Sequence, residues 1–238
     1  MEIGMQIIDF LRIIPALITV PMRKLSSFAI PLALGRFKGS RAYWVRRYRK
    51  GGGSGVGSYN ELAEFKAEVL NGFVKEHNIE TVIEFGCGDG NQLRYACYPS
   101  YLGFDISPEA VSICRRIFQQ DENKRFFLLE EYSGQKADLT LSLDVIYHLT
   151  EDDVFHDHMD MLFNASKRFV IIYSSNTDDN SANHSRHVKH RKFTSWVEKR
   201  KPEWRLTRHI KNGYPYDANN RKSSWSDFFI YEKARDLD

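Results

Sequence analysis

Residues 79–90 read Ile79-Glu80-Thr81-Val82-Ile83-Glu84-Phe85-Gly86-Cys87-Gly88-Asp89-Gly90. The β-branched run Thr81, Val82, Ile83 predicts a buried strand that ends at a carboxylate, Glu84. Gly86, Gly88 and Gly90 follow at alternate positions. Lacking a Cβ, they tolerate positive φ and let the backbone approach a ligand closely. The pattern predicts a tight turn and then a helix from about residue 91, its N-terminal N–H groups facing the same ligand.

The glycine spacing decides what that ligand is. The dinucleotide fingerprint is Gly-x-Gly-x-x-Gly. Here the spacing is Gly-x-Gly-x-Gly, with Glu84 two residues before the first glycine. A carboxylate there sits poorly against a pyrophosphate and well against an ammonium group. A second segment, Tyr101-Leu-Gly-Phe-Asp105-Ile-Ser-Pro-Glu-Ala110, reads as strand, acid, turn and helix. Ser107 suits the N-cap and Pro108 the first helical turn. An acid at the position of Asp105 also serves NAD-binding folds, so the discriminating signal is Glu84, the glycine spacing and Asp105 together.

The stretch Glu84-Phe-Gly-Cys-Gly-Asp-Gly90 resembles the first motif of the class I S-adenosylmethionine-dependent methyltransferases. The resemblance implies an α/β fold: a Rossmann-like, seven-stranded, mostly parallel sheet with helices on both faces. Its cofactor would be S-adenosylmethionine, which carries an amino-acid head, a ribose and an adenine but no phosphate. The cofactor-binding set it implies is Glu84, Gly86, Cys87, Gly88, Gly90, Asp105, Ile106, Leu143 and Tyr59, with Asp105 accepting the ribose hydroxyls.

The 238 residues, 42% hydrophobic, suffice for one domain with a sizeable core plus an extension. A net charge of +3 is too weak to argue for nucleic-acid binding, and none is expected. Cys87, Cys97 and Cys114 show no metal-type pairing, and their odd number favours a reducing cytosol over a disulfide scaffold.

Three regions are expected: residues 1–40 as an amphipathic helical extension, 41–60 as a lid-like segment, and 61–238 as the catalytic domain. In the first, Ile3, Ile7, Ile8, Leu11 and Ile14 fall on one helical side, opposite Glu2, Gln6, Asp9 and Arg12. Charges and prolines oppose a membrane span there. Residues 1–38 could pack on the domain, form a homodimer contact, lie on a membrane surface or gate the site. The expected location is cytoplasmic, with the inner face of a membrane as the alternative. In the second region, Tyr43, Trp44, Tyr48 and Tyr59 bracket a Gly/Ser-rich run. It reads as a lid or as a linker. Its pattern is similar to a segment of bacterial methyltransferases found among polysaccharide-modification genes.

Residues 61–77 predict an amphipathic helix with Leu62, Phe65, Val69 and Phe73 inward. Strands are expected at 101–106, 126–129, 168–173, 204–210 and an antiparallel 226–232, with the fourth strand within 137–149, where it runs into a loop. Glu130 and Glu131, after the third strand, are candidates for adenine contact or plain surface acids. After strand four, Asp144, Tyr147 and His148 fall where ligands gather in open sheets. Thr150 is expected to cap the next helix.

Residues 176–192 form a long loop holding His184, Arg186, His187, Lys189, His190 and Arg191. The histidine spacing matches no common structural zinc set, and no metal is expected. The loop reads as solvated, or as a pocket for an anionic acceptor through Tyr147, His190 and Arg191. His148 is the first candidate base, His187 the second, with Asp144 orienting either. The acceptor suggested is a small anionic molecule, such as a phosphorylated or nucleotide-linked sugar, methylated on oxygen. The competing readings are a lipid or quinone methyltransferase and a non-catalytic partner subunit of the same fold.

Overall fold

A computed structural model describes residues 37–181, 185–217, 219, 220 and 222–234. The expectations for residues 1–36 and for His184 lie outside the described residues. The strands are β1 (Thr81–Phe85), β2 (Ser100–Asp105), β3 (Lys124–Leu128), β4 (Ala137–Leu143), β5 (Ser166–Ser174), β6 (Trp204–Ile210) and β7 (Asp227–Lys233). They form one sheet in the order β3-β2-β1-β4-β5-β7-β6. The first five are parallel, and β7 runs antiparallel to both β5 and β6. This is the seven-stranded sheet implied by the glycine motif.

The sheet is covered on both faces, so its central strands bury most of their side chains, while Lys167 and Arg168 at the start of β5 stay exposed. On β5, Phe169, Ile171 and Tyr173 face one core with Leu70 and Phe73 of helix α2 (Asn60–Glu76). Val170 and Ile172 face the other core, with Met159, Leu162 and Phe163 of helix α4 (Asp152–Asn164). Helix α1 (Ser40–Arg49) precedes α2, α3 (Pro108–Ile117) follows β2, and α5 (Phe193–Arg200) follows the long loop. Helix α3 starts as expected: the Ser107 side chain accepts from Ala110 N at 3.3 Å, with Pro108 in the first turn.

Two local expectations are corrected. No α-helix follows the glycine turn; residues Gln92–Tyr95 make a single 3₁₀ turn, ending four residues before Pro99. The residue before a proline is pushed to extended backbone, which leaves too little chain for a helix. The turn therefore acts through its own N–H groups, without a helix dipole behind it. Glu151, not Thr150, occupies the N-cap of α4. Its Oε1 accepts from Ser40 N at 2.8 Å, while the Thr150 hydroxyl donates to Oε2 at 3.1 Å.

The order of strands dictates where a site forms. From β1 the chain winds outward to β2 and β3, then returns to place β4 on the other side of β1. The connections diverge at the carboxyl ends of β1 and β4, opening a crevice there. Glu84 and Asp144 stand at those two ends.

Candidate active site

The glycine turn is shaped by three positive φ values, +91° at Gly86, +58° at Gly88 and +72° at Gly90. A Cβ on Gly86 would lie 2.4 Å from Val145 Cγ2, and one on Gly88 would lie 2.3 Å from Ser54 Oγ. Both positions therefore require glycine for space as well as for conformation. The Gly88 N–H donates to Asp105 Oδ2 at 2.9 Å, tying the turn to the end of β2. Asp105 Oδ1 accepts from Ser107 N at 2.8 Å. Burial pushes the Asp105 carboxyl up to about 6. Glu84 is also buried; Oε2 accepts from the Tyr101 hydroxyl at 2.6 Å, and burial raises the group to about 7.

Around this turn lies a cavity of about 310 Å³. Of the sequence-derived cofactor set, Glu84, Gly86, Cys87, Gly88, Asp105, Ile106 and Leu143 line it. Gly90 and Tyr59 do not. Gly90 packs under the turn against Cys114, and the Tyr59 hydroxyl donates to Asp89 Oδ2 at 2.6 Å.

Residues 40–59 roof the cavity. Helix α1 is anchored by Ser40 N to Glu151, by Arg41 to Glu130 at 3.1 Å and by Arg49 to Glu109 at 3.2 Å. The Gly/Ser run then closes onto the glycine turn. Ser54 N donates to Asp89 Oδ2 at 2.9 Å, and Asp89 N returns a bond to Ser54 Oγ at 3.0 Å. Asn91 Nδ2 reaches Ser58 O at 2.7 Å. Tyr48 pairs with Ser54 at 2.8 Å. The aromatics beside the glycines thus act as posts that hold the run against Asp89.

Asp144 leaves β4 at φ +58°, an unusual conformation for a residue with a side chain. Both carboxylate oxygens are engaged: Lys66 Nζ lies 2.8 Å from Oδ2, and Tyr147 and Ser226 donate to Oδ1 at 3.0 and 2.9 Å. Lys66 is 1% exposed and its ammonium also sits 5.2 Å from the Tyr173 ring centroid. Asp144 therefore orients Lys66, Tyr147 and Ser226, and no histidine. Lys66 is the site residue that sequence reasoning missed. The available signal was a lone cation on the apolar side of α2, between Ala63 and Leu70.

His148 lines the cavity. Its Nδ1 lies 3.0 Å from the His187 carbonyl oxygen. A carbonyl only accepts, so Nδ1 carries the proton and Nε2 keeps its lone pair. Burial lowers the imidazole to about 4, so it is neutral near pH 7. Trp44 of α1 packs edge-on against it at 4.8 Å, and His187 stacks at 5.5 Å. The His187 ring stacks on Tyr43 at 4.2 Å outside the cavity wall, so His187 positions His148 through its backbone.

The expected acceptor-binding residues do not line this cavity. Tyr147 is spent on Asp144, and His190 is buried with Nδ1 2.7 Å from Ser175 Oγ. Arg191 is buried and donates to Leu149 O at 2.5 Å, Thr150 O at 3.0 Å and Asp152 at 2.8 Å, with its guanidinium over Phe155. A buried guanidinium must have its donors paired, and the start of α4 supplies the partners. Arg191 thus fastens the loop to α4. Among the described residues no cluster of three or more His, Cys, Asp or Glu side chains is placed to share a metal ion, and no helix is long and apolar enough to cross a membrane.

The Lys66–Asp144 pair makes a direct prediction. Lys66→Met should cost about 3 kcal/mol of unfolding free energy, because a largely buried carboxylate loses its counter-charge. In a urea-denaturation double-mutant cycle with Asp144→Asn, the two changes should couple by at least about 1 kcal/mol. Additive effects would contradict the pairing.

The family described as a methyltransferase domain matches residues 57–221. No curated protein matches the chain in sequence. Among solved structures, the chain is similar in fold to the N-methyltransferase NodS from Bradyrhizobium japonicum WM9 in complex with S-adenosylhomocysteine. The identity is 10%, the match covers 72% of this chain and 86% of that one, and the TM-score is 0.58. Magnesium protoporphyrin IX methyltransferase (ChlM) from Synechocystis PCC 6803, with bound S-adenosylhomocysteine, gives 14% identity, coverage of 82% and 98%, and a TM-score of 0.58. The methyltransferase domain of a bacterial Hen1 (CtHen1-C) gives 18%, 72% and 98%, and 0.56. At these identities the structures speak for the fold alone. The family match spans well over half of the chain, and with it the protein belongs to the methyltransferase domain family, in the class I S-adenosylmethionine-dependent fold.

Proposed function

We propose that the protein is an S-adenosylmethionine-dependent O-methyltransferase that acts on a small anionic acceptor. The residues of the cavity fit the cofactor. Glu84, Asp144 and Lys66 all line it, two carboxylates and one ammonium. Glu84 and Lys66 complement the amino-acid head group, whose ammonium suits Glu84 and whose carboxylate suits Lys66, with Asp144 holding Lys66 in place. Asp105 suits the ribose hydroxyls, and Gly86 and Gly88 leave the room that a Cβ would fill. When bound, the cofactor supplies an electrophilic methyl group on a sulfonium.

The observation that carries the reading is His148. It lines the cavity, is held by the His187 carbonyl and keeps Nε2 unprotonated near neutral pH. A hydroxyl already offers a lone pair and sheds its proton as the new bond forms, so a neutral imidazole beside it suffices. An ammonium must lose its proton before it can attack, which a group of such low basicity does poorly. Ser40, Arg41, Trp44 and Tyr48 of α1 cover part of the cavity and narrow the approach to it. Arg41 lines the cavity and is paired only at its surface with Glu130, so an anionic acceptor can recruit it. That residue, with the similarity of the 43–59 segment to polysaccharide-modification enzymes, supports a phosphorylated or nucleotide-linked sugar as acceptor.

His148→Gln should lower kcat at least about a hundredfold, with cofactor affinity retained, when S-adenosylhomocysteine formation is followed over a panel of sugar phosphates and nucleotide sugars. Near-normal kcat removes His148 from the role. Binding should also depend on pH. An ammonium is held by ionised Glu84, and the free group titrates at about 7, with Asp105 at about 6. Affinity for S-adenosylhomocysteine should therefore be near its maximum at about pH 8 and fall towards acid by up to about tenfold per unit for each proton displaced. Affinity that stays constant or rises on acidification contradicts the assignment.

A further inference from the structure

A second cleft, of about 640 Å³, lies between α5, the β6–β7 edge and the end of β5. It shares no wall residue with the first cavity. The two are neighbours through a line of rings: His148 packs on Tyr147 at 4.5 Å, Tyr147 on His190 at 6.2 Å, and His190 on Trp225 at 5.3 Å. His190 and Trp225 belong to the wall of the second cleft.

Trp225 stands at the rim of this cleft. It is 48% exposed, yet it is not free to swing, because Tyr216 stacks against it at 3.9 Å and 25°. Two large aromatic residues, each 48% exposed, are thus held as a fixed platform facing water. Fixed, exposed aromatic surface next to a cleft marks a binding site more often than chance. The rest of the wall mixes polar residues, Asp179, Glu198, Asn176 and Thr177 among them, with the apolar Leu206 and Phe229.

The charge pattern narrows the ligand. No lysine or arginine is among the wall residues, and three carboxylates are, which disfavours phosphate and other anions. Much of the acidic capacity is already engaged. Asp227 is tied to His209 at 2.8 Å and to Asn212 N at 2.8 Å, and Asp179 accepts from Ser181 N at 2.9 Å. What remains in the same cleft as the Trp225 ring is acceptor capacity on Glu198 and on the second oxygen of Asp179. A pyranose matches that combination: its C–H face lies on an aromatic ring and its hydroxyl rim donates to carboxylates and amides.

We propose that this cleft binds a neutral glycosyl ring stacked on Trp225. The inference rests on this cleft alone and does not depend on the cofactor reading. Saturation-transfer NMR on the intact protein, with the methyl glycosides of glucose, galactose, mannose, N-acetylglucosamine and rhamnose as probes, tests it. Transfer to ring protons of at least one glycoside is expected, reduced at least about fivefold in Trp225→Ala and in Glu198→Ala. It should persist in Asp105→Ala, so that a failure of cofactor binding and a failure of this site are read separately. Trp225 and Glu198 are at the surface, and circular dichroism of the two variants serves as the control for folding. Absence of transfer to every glycoside, transfer that survives Trp225→Ala, or displacement of the glycoside by equimolar spermidine would each overturn the proposal.

Discussion

A buried ammonium and the carboxylate that faces it hold the site together. Lys66 rises from the middle of α2, and Asp144 meets it at 2.8 Å just past β4. Neither charge is tolerable there alone. Together they fix the separation between the helix that covers one face of the sheet and the loop that carries Val145 and His148. Asp144 also gathers Tyr147 and Ser226, so the same carboxylate registers the 3₁₀ turn holding His148 and the approach to β7. Its left-handed backbone is held in place by these bonds and by Asp144 N donating to Tyr173 O at 2.8 Å.

The second organising element is a set of acids around the rim. Glu109, Glu130 and Glu151 each take a group from α1, and Asp89 takes the Gly/Ser run. These bonds are exposed or half-exposed and individually weak. Weak bonds of this kind can be broken and remade more cheaply than the pair at the base. Exposed bonds at the rim and an ion pair at the base divide the site into a part that can move and a part that cannot.

The sheet and the cofactor end of the site were legible in the sequence because they follow from local rules. β-branched runs, the alternate glycines and the acids Glu84 and Asp105 sit where strand and turn chemistry puts them, and all fall within 27 consecutive residues. The surroundings of His148 were not legible. Arg191 reads as an exposed anion binder until the start of α4 is placed beside it, which is a contact across 42 residues. His187 offers a carbonyl rather than its ring, and no side-chain pattern announces that. Lys66 left a trace, a cation on an apolar helix face, but its partner lay 78 residues away. The helix expected after Gly90 failed because Pro99 and the early end of the 3₁₀ turn outweighed the glycine pattern.

Binding of S-adenosylmethionine in the cavity around Glu84, the glycine turn and Asp105 underlies every role assigned to these residues. Calorimetric titration of the intact protein with S-adenosylhomocysteine, alongside Asp105→Ala, tests it most directly. The account predicts binding in about the micromolar range for the native chain and its loss in the variant. A folded native protein that does not bind, or a variant that binds equally well, would contradict it.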